Sequence, residues 1–328
     1  MGDRGIRIGV SLAEPPPGPD PLGRLRDQLQ RSADDGLASA WLANIFGLDA
    51  LTALAVAGSQ VPGIEVGTAV VPTYPRHPAA LAQQALTAQA ALRGRLTLGI
   101  GLSHQIVIEG MFGYSFERPA RHMREYLAVL LPILREGRVS FAGETMRAEI
   151  GLTAPRDDDV PVLLAALAPR MLRLAGREAD GTVLWMTGPA TIESHIVPAI
   201  TAAAADAGRP APRVVCLLPV CVTDYPDGAR ERAAQVFSIY GQLPSYRAML
   251  DQEGAAGPAD VAIVGDEAAV AAQIDALGGV GVTDFVAAEF GQGDDAVRTR
   301  ALLRDLAADA NLARRSADTE STGPSGTR

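Results

Sequence analysis

The sequence predicts an α/β protein, a (β/α)8 TIM barrel with an insertion after the fourth strand and additional helices after the seventh. Three observations carry this. Residues 64–104 read as an apolar strand, a tight loop, an alanine-rich helix and a second apolar strand, which is a βαβ unit. Both strand runs are continuously apolar rather than alternating, as expected of parallel strands covered on both faces. Eight such runs alternate with helical segments over roughly 310 residues, which favours a closed barrel over an open doubly wound sheet.

Taken in order, residues 6–11 form the first strand. The loop at 13–21 holds five prolines and one glycine, so it is stiff and extended. Residues 22–35 place Leu22, Leu25, Leu29 and Ala33 on one stripe, an amphipathic helix. Strand two is 39–43 and the second helix 48–58. The third strand, 64–71, is short and β-branched and stops at Pro72. Pro78 suits a first helical position, where its missing N–H would have had no partner. Residues 79–92 are mostly strong helix formers, Gly94 closes them, and 96–101 is strand four.

A helix from Pro119 to about Arg135 then places Arg118, His122 and Glu125 at i, i+4, i+7, and 139–150 reads as an extended excursion. Strands follow at 162–166, 182–186, 214–222 and 284–288, with helices at 169–178, 190–207, 227–253, 267–277 and 295–314. The helix at 227–253 should break at Leu243-Pro244, because proline removes a helical donor. Residues 261–264 form a small extra strand. Residues 1–315 make one domain, and 316–328, small and polar, read as a disordered tail.

The composition excludes several functions. No lysine occurs among the 29 basic residues, which removes Schiff-base chemistry and a P-loop lysine. A net charge of −9 argues against a broad nucleic-acid or anionic-membrane surface, and the partner expected is a small-molecule substrate. Cys216 and Cys221 have odd spacing in one apolar run, so they face opposite ways and stay reduced. No signal segment or 18-residue apolar span is present, so the expectation is a cytoplasmic protein. No histidine pair, cysteine cluster or G-x-S-x-G supports metal hydrolysis or acyl transfer.

In a barrel the active site lies at the carboxyl ends of the strands. The residues there include Asn44, Ala69 to Thr73, Gly101 to His104, Ala166 to Arg170 and Glu289. Gly99 and Gly101 would let a planar ligand lie against the strand-end backbone, although a dinucleotide fingerprint is absent. His104 reads as a proton donor, a stacking wall or a structural histidine. The turn Ala166-Leu167-Ala168-Pro169-Arg170 enters a helix with free amides, an anion site that Arg170 would assist or an ordinary βα turn. Asn44 offers an amide to a polar heterocycle or is a turn residue. Arg76-His77 reads as an anion contact or a solvated loop, and Arg118, Arg121, His122 and Arg124 as a charged helix face. Without metal or nucleophile, such a mouth suggests an organic cofactor.

Several motifs carry a resemblance: Gly67-Thr68-Ala69-Val70-Val71-Pro72, Arg76-His77-Pro78, the run from Gly94 to His104, Glu109-Gly110-Met111-Phe112-Gly113, Arg118-Pro119-Ala120-Arg121-His122 and Ala179-Asp180-Gly181. The chain resembles the bacterial luciferase-like superfamily, in the actinobacterial branch of coenzyme F420 (deazaflavin)-dependent oxidoreductases. The resemblance implies a homodimeric barrel with the cofactor ring across its mouth. It implies a non-prolyl cis peptide at Ala69-Val70, and a ring contacted by Asn44, Thr68, Ala69, Val70, Gly101, Leu102, Ser103 and His104. It places the cofactor phosphate at Ala166, Leu167 and Ala168. Two departures bear on chemistry. Asn44-Ile45 stand where alcohol- and sugar-oxidising members carry Asp-His, and His104 stands where they carry glutamate. The expectation is therefore an F420H2-dependent reductase acting on an activated C=C or C=N bond, with His104 as acid and the loop from Pro15 to Pro21 shaping the pocket. The alternatives are an FMN-dependent monooxygenase of the same superfamily and a noncatalytic partner subunit.

Overall fold

In the computed structural model, which describes residues 5–321, eight parallel strands close into a barrel: β1 (Arg7–Ser11), β2 (Ser39–Leu42), β3 (Glu65–Thr68), β4 (Leu96–Gly101), β5 (Val162–Leu164), β6 (Gly181–Trp185), β7 (Arg213–Val222) and β8 (Asp284–Glu289). Each pairs with its sequence neighbours, and β8 returns to β1 with Arg7 opposite Asp284. This is the expected (β/α)8 barrel. All of its strands are short, β7 excepted, and nearly every position is buried, because helices cover the outside while side chains fill the inside.

The floor and the interior of the barrel explain its closure. Arg7, Glu65, Arg213 and Asp284 are the first residues of β1, β3, β7 and β8, and they form one ion network. Arg213 reaches Glu65 at 3.0 Å and Asp284 at 2.8 Å, and Thr97 donates to Glu65 at 2.7 Å. Asp284 is only 1% exposed, so its charge is tolerated only because two guanidiniums meet it. Above the floor, Trp41, Leu163, Val183, Val215, Leu217 and Val286 fill the lumen. A Cβ on Gly67 would lie 2.3 Å from the Trp41 ring, so glycine in β3 is what admits that indole.

The insertion after β4 is a short helix, Gln105–Gly110, a long helix, Pro119–Glu136, and an antiparallel hairpin, Arg138–Ala142 with Arg147–Gly151. Glu125 ties helix to hairpin. It is buried, and it accepts from the N–H groups of Glu144, Thr145 and Met146 and from the Thr145 hydroxyl. Burial alone would push its carboxyl up; the bonds from Thr145 and Met146 outweigh it and hold the group below its ordinary range.

Several element boundaries differ from expectation. The segment after β7 is not one helix broken at Pro244. It is Pro226–Val236, a 3-10 turn Ser238–Gly241 and Pro244–Glu253, so the chain leaves the helix at Phe237 and arches before re-entering it. The helix after β6 passes through a π-helical turn, Ile192–Ile196, just before Pro198, which lacks a donor. The closing helix runs to Ser321, so the first six residues of the expected tail are helical. The rest of that tail lies outside the described residues. No helix among the described residues is long and apolar enough to cross a membrane. Both cysteines are buried and unpaired, as expected.

Candidate functional site

A cavity of about 1510 Å³ opens at the carboxyl ends of the strands, where barrel sites are expected. Of the expected cofactor contacts, Asn44, Ala69, Val70, Gly101, Leu102, Ser103, His104, Leu167 and Ala168 all line it. Thr68 and Ala166 do not. Thr68 is fully buried and spends its hydroxyl on β4, donating to the Gly99 carbonyl at 2.8 Å and accepting from the Gly99 N–H at 2.9 Å. Ala166 is packed into the core below the turn.

The peptide Ala69-Val70 is cis, as the resemblance implied. Directly after it, Val71–Pro72 pairs with the end of β4, Val71 opposite Ile100 and Pro72 opposite Gly101. The glycines of β4 serve this packing. A Cβ on Gly99 would lie 2.0 Å from the Thr68 carbonyl oxygen, and one on Gly101 2.7 Å from a Val70 methyl. Gly99 is thus a strand-packing glycine rather than a platform for a ligand, and only Gly101 reaches the cavity.

Ser103, at a left-handed φ of 60°, turns β4 into the short helix that follows. His104 occupies that helix's N-cap position with its backbone alone, accepting at its carbonyl from Val107 and Ile108. Its ring is left to face the cavity, tilted against Tyr246 at a centroid distance of 5.4 Å. Burial lowers the His104 pKa, so the imidazole is neutral near pH 7. Burial likewise raises the pKa of Tyr246, which keeps its hydroxyl protonated.

Tyr246 begins a ladder of rings that sequence reasoning did not find. It meets Tyr240 edge-on at 5.5 Å, Tyr240 meets Trp185 at 5.4 Å, and Trp185 meets Phe237 at 5.8 Å. The ladder ties the arch at 237–246 to the end of β6, and Trp185, Tyr240 and Tyr246 all line the cavity. The only signal in the sequence was the cluster Phe237, Tyr240, Tyr246 in an aromatic-poor chain.

The remaining candidates separate. Arg76 lines the cavity and is ion-paired with Asp49, whereas His77 caps the helix Pro78–Leu92 through its ring nitrogen. Asn44 accepts from the Ala50 N–H at 2.9 Å, which leaves its amide hydrogens for a ligand. Arg118 and Arg121 line the cavity beside Glu144, Arg124 points to solvent, and His122 turns inward. The His122 ring stacks flat on Tyr74 at 3.9 Å and lies 3.0 Å from the Thr73 hydroxyl. Glu289 is bound to Arg300 at 3.0 Å and does not reach the cavity, and no residue of the proline loop lines it.

The helix Pro169–Glu178 begins without a side-chain cap, and Leu167, Ala168, Pro169 and Arg170 line the cavity at that start. Its free amides and the guanidiniums of Arg170 and Arg173 suit a phosphate or carboxylate. The Leu167 carbonyl lies 2.8 Å from His195 Nε2, a contact from the π-helical turn that fixes this loop. No aspartate or glutamate lines the cavity among the described residues, although acidic residues outnumber basic ones 38 to 29.

Comparison with known proteins bears on the same architecture. A family model described as luciferase-like monooxygenase matches residues 6–284. A Mycobacterium tuberculosis protein provisionally described as a coenzyme F420-dependent oxidoreductase is 31% identical over 192 residues, 54% of this chain and 53% of that one, so the match spans about half of that relative. A 5,10-methylenetetrahydromethanopterin reductase of Methanolobus tindarius is 28% identical over 237 residues, 72% of each chain. The structure of the coenzyme F420-dependent tetrahydromethanopterin reductase of Methanopyrus kandleri superposes with a TM-score of 0.76 at 21% identity, over 91% of this chain and 97% of that one. The barrel, its carboxyl-end cavity and the family match over residues 6–284 together make this chain an oxidoreductase that belongs to the luciferase-like monooxygenase family.

Proposed function

We propose that the protein is an F420H2-dependent reductase that transfers hydride to an activated C=C or C=N bond of a small organic substrate. The observation that carries this reading is a large cavity lined by five arginines and by no carboxylate. Oxidation of an alcohol needs a base, and the neutral His104 imidazole in the cavity has, among the described residues, no lining carboxylate to stabilise the charged form it would take on. Reduction builds negative charge on the acceptor's oxygen or nitrogen, which neutral donors and arginines stabilise. The mycobacterial relative supports the cofactor, and the methanogen reductase supports the direction.

The residues present fit the cofactor. The uncapped start of Pro169–Glu178, with the amides at Leu167 and Ala168, would hold its phosphate, and Asn44, Gly101, Leu102 and Ser103 would meet its ring. When bound and reduced, the deazaflavin supplies a hydride from carbon. Tyr246 and His104 lie together at the cavity wall as the hydrogen-bond donors to the acceptor, and Tyr246 stays protonated across the neutral range. The reading includes assembly as a homodimer and a cytoplasmic location.

Equilibrium titration of the purified protein with F420 and, separately, with FMN tests this, because Trp185 lines the cavity and reports by quenching. Micromolar or tighter binding of F420 alone is the expected result. Preference for FMN would transfer the reading to an oxygen-activating monooxygenase, and binding of neither would make the chain a noncatalytic partner.

A further inference from the structure

We infer that the substrate of this cavity is a bulky, uncharged, hydrocarbon-rich molecule, a conjugated ketone or imine on a polycyclic or long-chain skeleton. The inference rests on the reductase reading for the reacting group and on the cavity alone for the skeleton. A single drug-sized ligand occupies a pocket of roughly 300–1,000 Å³. At about 1510 Å³ this cavity holds more than one such molecule, so space remains beside a cofactor.

What lines that space is apolar. Among the described residues, six of the thirteen exposed large hydrophobic side chains converge on this cavity: Ile45, Phe46, Ile106, Met111, Phe112 and Ile239. They come from three separate segments, the loop after β2, the helix after β4 and the arch after β7. Scattered apolar side chains need no explanation, but a set gathered from three loops at one opening marks a binding surface. Phe46 and Ile106 are 64% and 67% exposed, a cost in water that a substrate skeleton laid across them would offset.

The charged groups of the same cavity are already committed. Arg76 is paired with Asp49, and Arg118 and Arg121 with Glu144. Arg170 and Arg173, which form no ion pair among the described residues, lie at the helix start suited to the cofactor's anion. No carboxylate is present to meet a cationic substrate. In the space beside the cofactor an acceptor therefore meets the Tyr246 and His104 pair, with the arginines at the cavity's edge, against a rim that is mainly hydrocarbon.

The test uses the full-length protein without cofactor and three probes read by Trp185 quenching: cyclohex-2-enone, a tetracyclic 4-en-3-one, and that tetracycle bearing a carboxylate. The neutral tetracycle should bind at least a hundredfold tighter than cyclohexenone and, with saturating inorganic phosphate occupying the helix start at Arg170 and Arg173, at least fivefold tighter than its carboxylate. The double variant Phe46→Ser, Ile239→Ser should lower tetracycle affinity at least tenfold while F420 affinity stays within twofold. Circular dichroism of the variant confirms that it folds. Equal affinity for small and large enones would overturn the inference. So would an unchanged tetracycle affinity in the double variant, or sedimentation showing that these substitutions convert a dimer to a monomer, since the rim would then be an interface between copies. F420 titrated in parallel separates the two readings. Tetracycle binding without F420 binding removes the reductase assignment and leaves the apolar site, whereas F420 binding without a size preference removes only the apolar site.

Discussion

At the scale of single residues, burial sets the protonation states that the site works with. His104 is neutral near pH 7, so a proton delivered to substrate at that pH comes from a neutral donor, and Tyr246, whose ring packs against His104, carries a hydroxyl that stays protonated. Replacing Tyr246 with phenylalanine keeps the ring packing and removes the donor. We expect kcat for reduction to fall by about 10²–10⁴-fold, with F420 affinity unchanged; stopped-flow oxidation of the reduced cofactor measures the first and fluorescence titration the second. His122 gives a stability prediction. Burial lowers its pKa to about 4, against about 6.5 in an unfolded chain. Above pH 6.5 it is neutral in both states. As pH falls from 6.5 towards 4 the unfolded chain takes the proton first, so stability is lost across that window and the loss levels off below it. Thermal melts over pH 4–8 should show this slope, and His122→Gln should flatten it.

Elements divide the labour between floor and mouth. The ion network joins the first residues of β1, β3, β7 and β8, so it fixes strand register at the end away from the cavity. Arg213→Met removes one cation and leaves Asp284 buried with Arg7 as its single ion-pair partner among the described residues, beside the Thr283 hydroxyl. The expected loss is about 3–5 kcal/mol in chemical denaturation, with cofactor binding at the other end of the barrel unchanged. At the mouth, the arch between Pro226–Val236 and Pro244–Glu253 hangs on ring contacts to Trp185 and His104. The ion pair of Asp49 with Arg76 likewise joins the loop after β2 to the loop after β3, while the Asn44 side-chain oxygen, accepting from the Ala50 N–H, braces the first of these loops on itself. Cavity walls are therefore held by contacts between loops, while the strands beneath them are held by the sheet.

For the whole molecule, charge is distributed against its average. The chain carries a net −9, yet the cavity at the carboxyl ends of its strands is lined by Arg76, Arg118, Arg121, Arg170 and Arg173 and, among the described residues, by no acid. An anionic cofactor approaching a negative protein is thus received by a local positive field. The dissociation constant for F420 should weaken several-fold as salt rises from 10 to 150 mM, over which the screening length falls from about 30 to about 8 Å. An affinity insensitive to salt would place the cofactor's anionic groups away from these arginines.

The sequence by itself determined the barrel, because continuous apolar runs and helix-start prolines are local signals that report burial and chain direction. It also determined where the mouth would lie, since Asn44, Gly101 to His104 and Leu167-Ala168 follow directly from the ends of strands. The tertiary structure decided which of these face the cavity. Thr68 and Ala166 sit directly beside lining residues and are buried in packing, a difference of side-chain direction that a run of apolar residues does not encode. It also decided that Glu289 is spent on Arg300 and that Tyr246, 142 positions from His104, is its neighbour. Contacts between loops of different strands depend on how the barrel brings distant segments together, and that information resides in the closed fold rather than in any one stretch of chain.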